Sequence, residues 1–213
     1  MRYWFIVHDL ESYGQHPDLI GMLHPDRNFR SIRKNDRIVF YAKGKKLVGV
    51  FSITQNGRIL GKDRYWNPKD LVYDITPVLL PPSPLEFEAS KFGVTMLRRT
   101  TTPLSEDQYR KILLWLLSLE GFPEEMNHDM VVALFTKIHL DLGYPTIRII
   151  RPQFPDCKAL DKNGREAKIE FEVRATDFNH NINECDKIIC WEDDWGATAP
   201  QGKVLSIREW LFG

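Results

Sequence analysis

Cysteine is scarce in this sequence, with only Cys157, Cys185 and Cys190 among 213 residues. So small and odd a number excludes a disulfide framework and predicts buried thiols in a reducing compartment. No Cys-x-x-Cys pair occurs, and His180, Cys185 and Cys190 lack the spacing of a zinc site. Nowhere does an apolar run approach the roughly 18 residues that a membrane span needs, and the opening MRYWFIVHDLE carries no signal-peptide cleavage pattern. The expectation is a cytoplasmic protein without a membrane partner. Internal repeats and low-complexity stretches are also missing.

A net charge is missing too, because 29 basic side chains meet 29 acidic ones. The balance conceals an asymmetry. Division at Pro103, after three threonines, leaves 16 Lys+Arg against 10 Asp+Glu in residues 1–103 (16 − 10 = +6) and 13 against 19 in residues 104–213 (13 − 19 = −6). A basic block suits a polyanion, and acids gathered in the other block suit metal ions that bind beside it. Opposite charges also serve simply to dock two domains. With 43% hydrophobic and 12% aromatic residues, both blocks have enough apolar surface for a packed core.

The first block reads as short strands. RYWFIVHD is aromatic and β-branched, a short helix is expected over 13–23 near His16-Pro17, and RIVFYA and LVGVFSIT flank a turn at Lys43-Gly44-Lys45-Lys46 as a hairpin. A strand around 71–75 precedes the proline-rich PVLLPPSPLEF, expected as a surface loop. The second block opens with two helices. Ser105 and Gln108 form a capping box ahead of KILLWLLSLE, and Asn127 caps a helix whose Val131, Leu134, Phe135, Ile138 and Leu142 recur at helical spacing. Strand candidates follow: TIRIIR, 154–160, AKIEFEVRA, KIICW and KVLSI.

Within AKIEFEVRA the alternation is strict. Ala167, Ile169, Phe171, Val173 and Ala175 are small or apolar, while Lys168, Glu170, Glu172 and Arg174 are charged. Acids two apart on a strand point the same way, so Glu170 and Glu172 are candidates to share a divalent metal with Asp156, which lies upstream across the Asn163-Gly164 turn. Mg²⁺ or Mn²⁺ so held would supply a nucleophilic water and stabilise a leaving oxygen in phosphodiester hydrolysis, with a nearby cation on the phosphate. The plainer reading is a solvated strand face with weak salt bridges.

Pro155-Asp156 followed by this strand resembles the PD-(D/E)xK nuclease superfamily over residues 104–213. Its acid-x-Lys element corresponds either to Glu172-Val173-Arg174, with Arg in place of Lys, or to Glu170-Phe171-Glu172. Arg cannot accept a proton, so the first match offers phosphate binding and the second suits metal ligation. Phe178-Asn179-His180 and CDKIICWEDDW also resemble a subset of restriction-endonuclease-like proteins, although 176–184 is too short for the superfamily's usual second helix. The resemblance implies catalytic Asp156, Glu170, Glu172 and Arg174, phosphate contacts from Lys168 and His180, and accessory acids at Asp129 and Asp186.

RYWFIVHD, a helix and NDRIVFYAKGKKLVGVFSIT resemble the EVE domain of the PUA-like β-barrels over residues 1–103. Such a domain implies aromatic walls for a flipped modified base, with Trp4, Tyr13, Tyr41, Tyr65 and Trp66 as candidates. Arg30, Arg33, Lys34, Lys43, Lys45 and Lys46 are the phosphate-contact candidates.

The fold class expected is α+β: an N-terminal PUA-like β-barrel of EVE type, then an α/β restriction-endonuclease-like domain. Joined, the two resemblances imply a modification-dependent DNA endonuclease that reads modified double-stranded DNA and cuts it with Mg²⁺, as a homodimer. The alternative is a DNA- or RNA-binding protein on an inactive nuclease scaffold, and a third reading is an interaction module using its acidic block.

Overall fold

A computed structural model of the protein describes residues 1–22, 24–59, 70–95, 100–119 and 126–212. It comprises two units, Met1–Glu120 and Gly121–Gly213. In the first, in chain order, are β1 (Tyr3–His8), α1 (Leu10–Gln15), β2 (Leu19–Met22), α2 (Arg27–Arg30), β3 (Arg37–Ala42), β4 (Lys46–Ile53), β5 (Arg58–Ile59), β6 (Leu71–Leu79), β7 (Leu85–Glu86), β8 (Thr101–Leu104) and α3 (Glu106–Leu119). The sheet order is β2-β6-β4-β3-β1-β8, with β5 beside β6 and β7 beside β4. Strands β1 and β3 are parallel, whereas β3–β4 and β4–β6 are antiparallel with register shifts at Phe40/Tyr41 and Val50/Phe51. Such bulges bend a sheet and increase its twist. Among the described residues β2 and β8 do not pair, so the expected barrel-like domain is a curled half-barrel.

The segment RIVFYA is apolar almost throughout because β3 is buried on both faces. Ile38, Phe40 and Ala42 join Trp4, Ile6, Phe51 and Tyr73 in one core. Tyr41 turns the other way, with its ring 5.1 Å from Phe5 and 6.1 Å from Phe87. Helix α3 covers this second face, stacking Tyr109 on Tyr3 at 4.3 Å and setting Trp115 5.4 Å from Phe87. In β4, Gly49 has φ +155, and a Cβ there would lie 2.8 Å from the Leu79 carbonyl oxygen. Only glycine lets these backbones approach so closely.

Two sequence expectations are corrected. The threonine-proline stretch, expected to divide the two blocks, does not part the two units: β8 pairs with β1, Pro103 opposite Trp4, and α3 belongs to the first unit, so the division falls after 120 rather than 103. Proline is tolerated there because β8 is an edge strand. The helix expected over 13–23 is instead α1, ending at Gln15, followed by β2 paired with β6. Pro17 lacks the N–H a continuing helix would need, and Ile20 gains full burial in the sheet. The capping box is as expected: Gln108 N–H donates to Ser105 Oγ at 3.1 Å and Ser105 N–H to Gln108 Oε1 at 2.9 Å.

The second unit holds α4 (His128–Ile138), β9 (Thr146–Ile150), β10 (Cys157–Leu160), β11 (Glu166–Arg174), β12 (Lys187–Glu192), β13 (Val204–Ser206) and α5 (Ile207–Phe212). Strands β9, β10 and β11 form an antiparallel meander, and β12 and β13 continue parallel to β11 in a five-stranded mixed sheet. Helix α4 packs Phe135 5.0 Å from Phe171 of β11. The β11–β12 connection holds two short 3₁₀ turns, Ala175–Asp177 and Ile182–Glu184, where a long helix would not fit. All three cysteines are buried free thiols, and burial pushes Cys190 up to about 12. Such thiols stay protonated and inert.

One carboxylate organises the first unit. Asp36 is 3% exposed, yet its oxygens accept from Arg2 N at 3.1 Å, Trp4 Nε1 at 2.9 Å and Arg33 N at 3.0 Å, and the Arg2 guanidinium stands 3.0 Å away. This ties β1 to the turn that launches β3. Asp36→Ala would strand these donors and should destabilise the unit by about 3 kcal/mol. Hydrogen exchange of β3 and β4 amides should accelerate accordingly, and unchanged protection would show the network to be dispensable.

Candidate functional site

In the second unit the site is assembled from one turn, one strand, one helix end and the β11–β12 connection. Arg151 grips the turn before β10, donating from Nη2 to the Phe154 carbonyl at 3.1 Å and from Nε to the Pro155 carbonyl at 3.2 Å. Its backbone N–H donates to Asp156 O at 2.7 Å, which fixes where Asp156 enters the sheet. Cys157 pairs with Ile169 across the antiparallel ladder, so Asp156 sits opposite Glu170. Glu172, two residues on, shares that face. Asp156 N–H donates to Glu170 Oε2 at 3.1 Å, and Phe171 N–H donates to Asp156 Oδ2 at 3.1 Å. Both acids are buried, at 7% and 5% exposed.

Two histidines complete the cluster. Asn127 caps α4 by accepting from Met130 N at 3.0 Å, which places His128 in the first turn with Nε2 3.1 Å from Asp156 Oδ2. His180 lies with Nε2 3.6 Å from Glu170 Oε1 and its ring 4.4 Å from Phe154. Among the described residues no lysine or arginine forms an ion pair with Asp156, Glu170 or Glu172. Burial, joined by the charge of Asp156, raises Glu170 above the usual carboxylate range against the pull of the Asp156 N–H and the histidines. Glu172 is pushed up to about 7 by burial and then by Glu170 and Asp177. Burial lowers His128, but Asp156 and Asp129 outweigh it and leave the imidazole above its ordinary value. An acid held near neutrality, as Glu172 is, beside a histidine is equipped for proton transfer at physiological pH.

The expected Mg²⁺ or Mn²⁺ finds no ready-made ligand set among the described residues. Among the described residues no three His, Cys, Asp or Glu side chains stand where they could hold a metal ion. The inner oxygens of Asp156 and Glu170 are instead taken by backbone N–H groups within the sheet. Arg174 and Lys168 are exposed and form no ion pair with the acids. Asp186 accepts from Lys168 N at 2.8 Å and extends the β11–β12 ladder, a structural bond rather than a site contact. The Asp129 side chain is fully exposed, at 100%, and reaches only His128 Nδ1, at 3.7 Å. His128 escaped the sequence reading because 28 residues separate it from Asp156; its one signal was its place directly after a helix cap.

In the first unit most expected base-wall aromatics are structural. Trp4 is a core residue bound to Asp36, and Tyr41, 4% exposed, lies among Phe5 and Phe87. Tyr13 is half-buried, edge-on to Phe40 at 5.3 Å and Phe51 at 5.7 Å. Tyr65 and Trp66 lie outside the described residues. Of the expected phosphate contacts, Lys46 is engaged by Glu86 at 2.7 Å, while Lys43 and Lys45 are exposed at the hairpin tip. Arg30, Arg33 and Lys34 are exposed around α2 with Arg27. Arg33 Nη1 donates to the carbonyls of Arg30 and Ile32 at 2.8 Å, and Arg30 Nε to that of Pro25 at 3.1 Å, so these guanidinium groups are held in place.

No protein-family model matches the chain, and no curated protein matches it. Among solved structures, Rpa0253 of Rhodopseudomonas palustris is 16% identical, covering 60% of this chain and 100% of its own at a TM-score of 0.38. Atu2648 of Agrobacterium tumefaciens is 16% identical over 59% of this chain and 97% of its own, at 0.37. The YTH domain of Zygosaccharomyces rouxii MRB1, solved in complex with N6-methyladenosine RNA, is 13% identical over 59% of this chain and 88% of its own, at 0.41. The nuclease-like reading of the second unit finds no support in them.

Glu172 makes the second unit's stability depend on pH. The folded state keeps its proton up to about pH 7, whereas an unfolded chain releases it near 4.5, the ordinary value for a glutamate. The folded state therefore binds more protons between these values, and this group's contribution to stability declines as pH rises through that window. Glu172→Gln, which mimics the protonated acid, should raise the urea midpoint relative to the parent at pH 8 and change it little at pH 5. Equal effects at both values would contradict the raised pKa.

Proposed function

We propose that this protein binds nucleic acid, with the basic surface of the first unit as its contact. The carrying observation is the group around α2: Arg27, Arg30, Arg33 and Lys34 are all exposed, and the guanidinium groups of Arg30 and Arg33 are fixed by backbone carbonyls. Cations whose freedom is already spent lose less on meeting a phosphate. The buried Asp36 compensates Arg2 and leaves the outer cations to solvent. Residues 1–120 carry 18 Lys+Arg against 13 Asp+Glu, a surplus of five that suits a polyanion. Tyr13 is the remaining described candidate for stacking on a modified base.

A second reading, phosphodiester hydrolysis in the second unit, is favoured by one observation. Three carboxylates and two histidines share a site in which Glu172 titrates near neutrality. General acid–base assistance from Glu172 and His128 is what these residues would contribute.

Fluorescence anisotropy with labelled single- and double-stranded DNA and RNA, unmodified or carrying methylated bases, tests the first reading. Affinity should fall steeply with salt, and Arg33→Ala or Lys34→Ala should each weaken all sequences alike and reduce the log–log salt slope by about 1. Absence of binding, or binding indifferent to salt, would overturn it. Incubating the same substrates with and without Mg²⁺ or Mn²⁺ decides the second reading: cutting abolished by Glu172→Ala supports it, and intact substrate under every condition removes it.

A further inference from the structure

The first unit also contains a cavity that neither the basic surface nor the sequence motifs account for. It has a volume of about 390 Å³ and is lined by Lys45, Glu86, Phe87, Glu88, Lys91, Phe92 and Trp115. That lies at the lower end of the roughly 300–1,000 Å³ of small-molecule sites. Phe87, 3% exposed, forms the floor, with Phe92 stacked on it at 4.8 Å and 16°. Trp115 of α3 stands edge-on to Phe92 at 5.8 Å and 66°. Gln108 Nε2 donates to the Gly93 carbonyl at 2.6 Å, locking the Ala89–Phe92 turn to α3 and holding the two rings in this relation. Phe92 and Trp115 remain half-buried, each with ring surface open to the cavity.

The charges around the mouth are arranged unequally. Glu86 is paired with Lys46 at 2.7 Å and Glu88 with Lys91 at 2.8 Å. Both acids that would repel an anion are thus answered, and Lys45 stands in no ion pair among the described residues. The lining itself balances Lys45 and Lys91 against Glu86 and Glu88, but Lys46 answers Glu86 from outside it, so Lys45 is left as the cation at the aromatic opening, with Lys43 exposed two residues away. Aromatic faces beside a lysine are the equipment for stacking an unpaired base while neutralising its phosphate. The site lies at the far end of β3 from Lys34, and the six residues of that strand, Arg37–Ala42, span roughly 20 Å. A separation of that size suits one single strand touching both places.

Resting on the nucleic-acid reading above, we infer that the Phe92–Trp115 cavity takes an unstacked nucleobase of a single-stranded nucleic acid, with Lys45 on the adjoining phosphate. The test uses the full chain and 12-nucleotide DNA and RNA oligonucleotides carrying 5-iodouracil for photocrosslinking. Crosslinks should map by mass spectrometry to the peptide bearing Phe92 or Trp115, and single strands should bind more tightly than the matching duplex. Trp115→Ala should weaken single-strand binding roughly tenfold. Lys45→Glu, a surface change that leaves the core intact, should weaken it comparably even if the tryptophan variant folds poorly. Crosslinks confined to other segments, with Lys45→Glu binding like the parent while Arg33→Ala is impaired, would overturn the cavity assignment and leave the basic surface standing. No binding of any oligonucleotide would overturn both.

Discussion

A carboxylate removed from water must be answered by donors, and how completely it is answered differs between the two units of this molecule. Asp36 is answered fully. Two backbone N–H groups, the Trp4 indole and the Arg2 guanidinium converge on it, so its burial fixes β1 against the entry to β3. Asp156, Glu170 and Glu172 are answered only in part. Backbone N–H groups reach Asp156 and Glu170, but the remaining partners are histidines whose charge depends on pH. Folding alone gives no reason to keep three acids on one sheet face with no permanent cation paired to them, since apolar residues of similar size would be less costly there.

Much of this was legible in sequence, and the failures have physical causes. Period-two alternation identified β11 and placed Glu170 and Glu172 on one face, because a pleated strand leaves no other choice. It could not say that the middle of this face is covered, where Glu170, at 5% exposed, is buried almost as deeply as Ile169 and Phe171 beside it. Cap chemistry is local, so the Ser105–Gln108 box and the Asn127 cap were readable. His128 was not, because its meeting with Asp156 is made by the packing of α4 on the sheet.

The aromatics of the first unit were harder still. Trp4, Tyr41 and Trp115 look alike as letters, yet Trp4 and Tyr41 are spent in the core while Trp115 keeps a face open to a cavity. Strand β3, buried on both faces, has no alternation to reveal which side each ring takes. Pro103 misled for a related reason. Proline beside threonines reads as a boundary between blocks, but on an edge strand its missing N–H points away from the ladder and costs nothing, so β8 pairs with β1.

Charge ties these observations together. Residues 121–213 carry 11 Lys+Arg against 16 Asp+Glu, so a phosphate approaching the second unit meets a negative field that the first unit does not present. The acid centre lessens that field when protonated: Glu172 is neutral below about pH 7, and His128 gains its proton more readily than an ordinary histidine. On the hydrolytic reading proposed above, a polyanion would be tolerated there best in the protonation state that also readies Glu172 as a proton donor. The desolvation that makes the cluster costly to fold is then the same property that would couple phosphate approach to proton transfer.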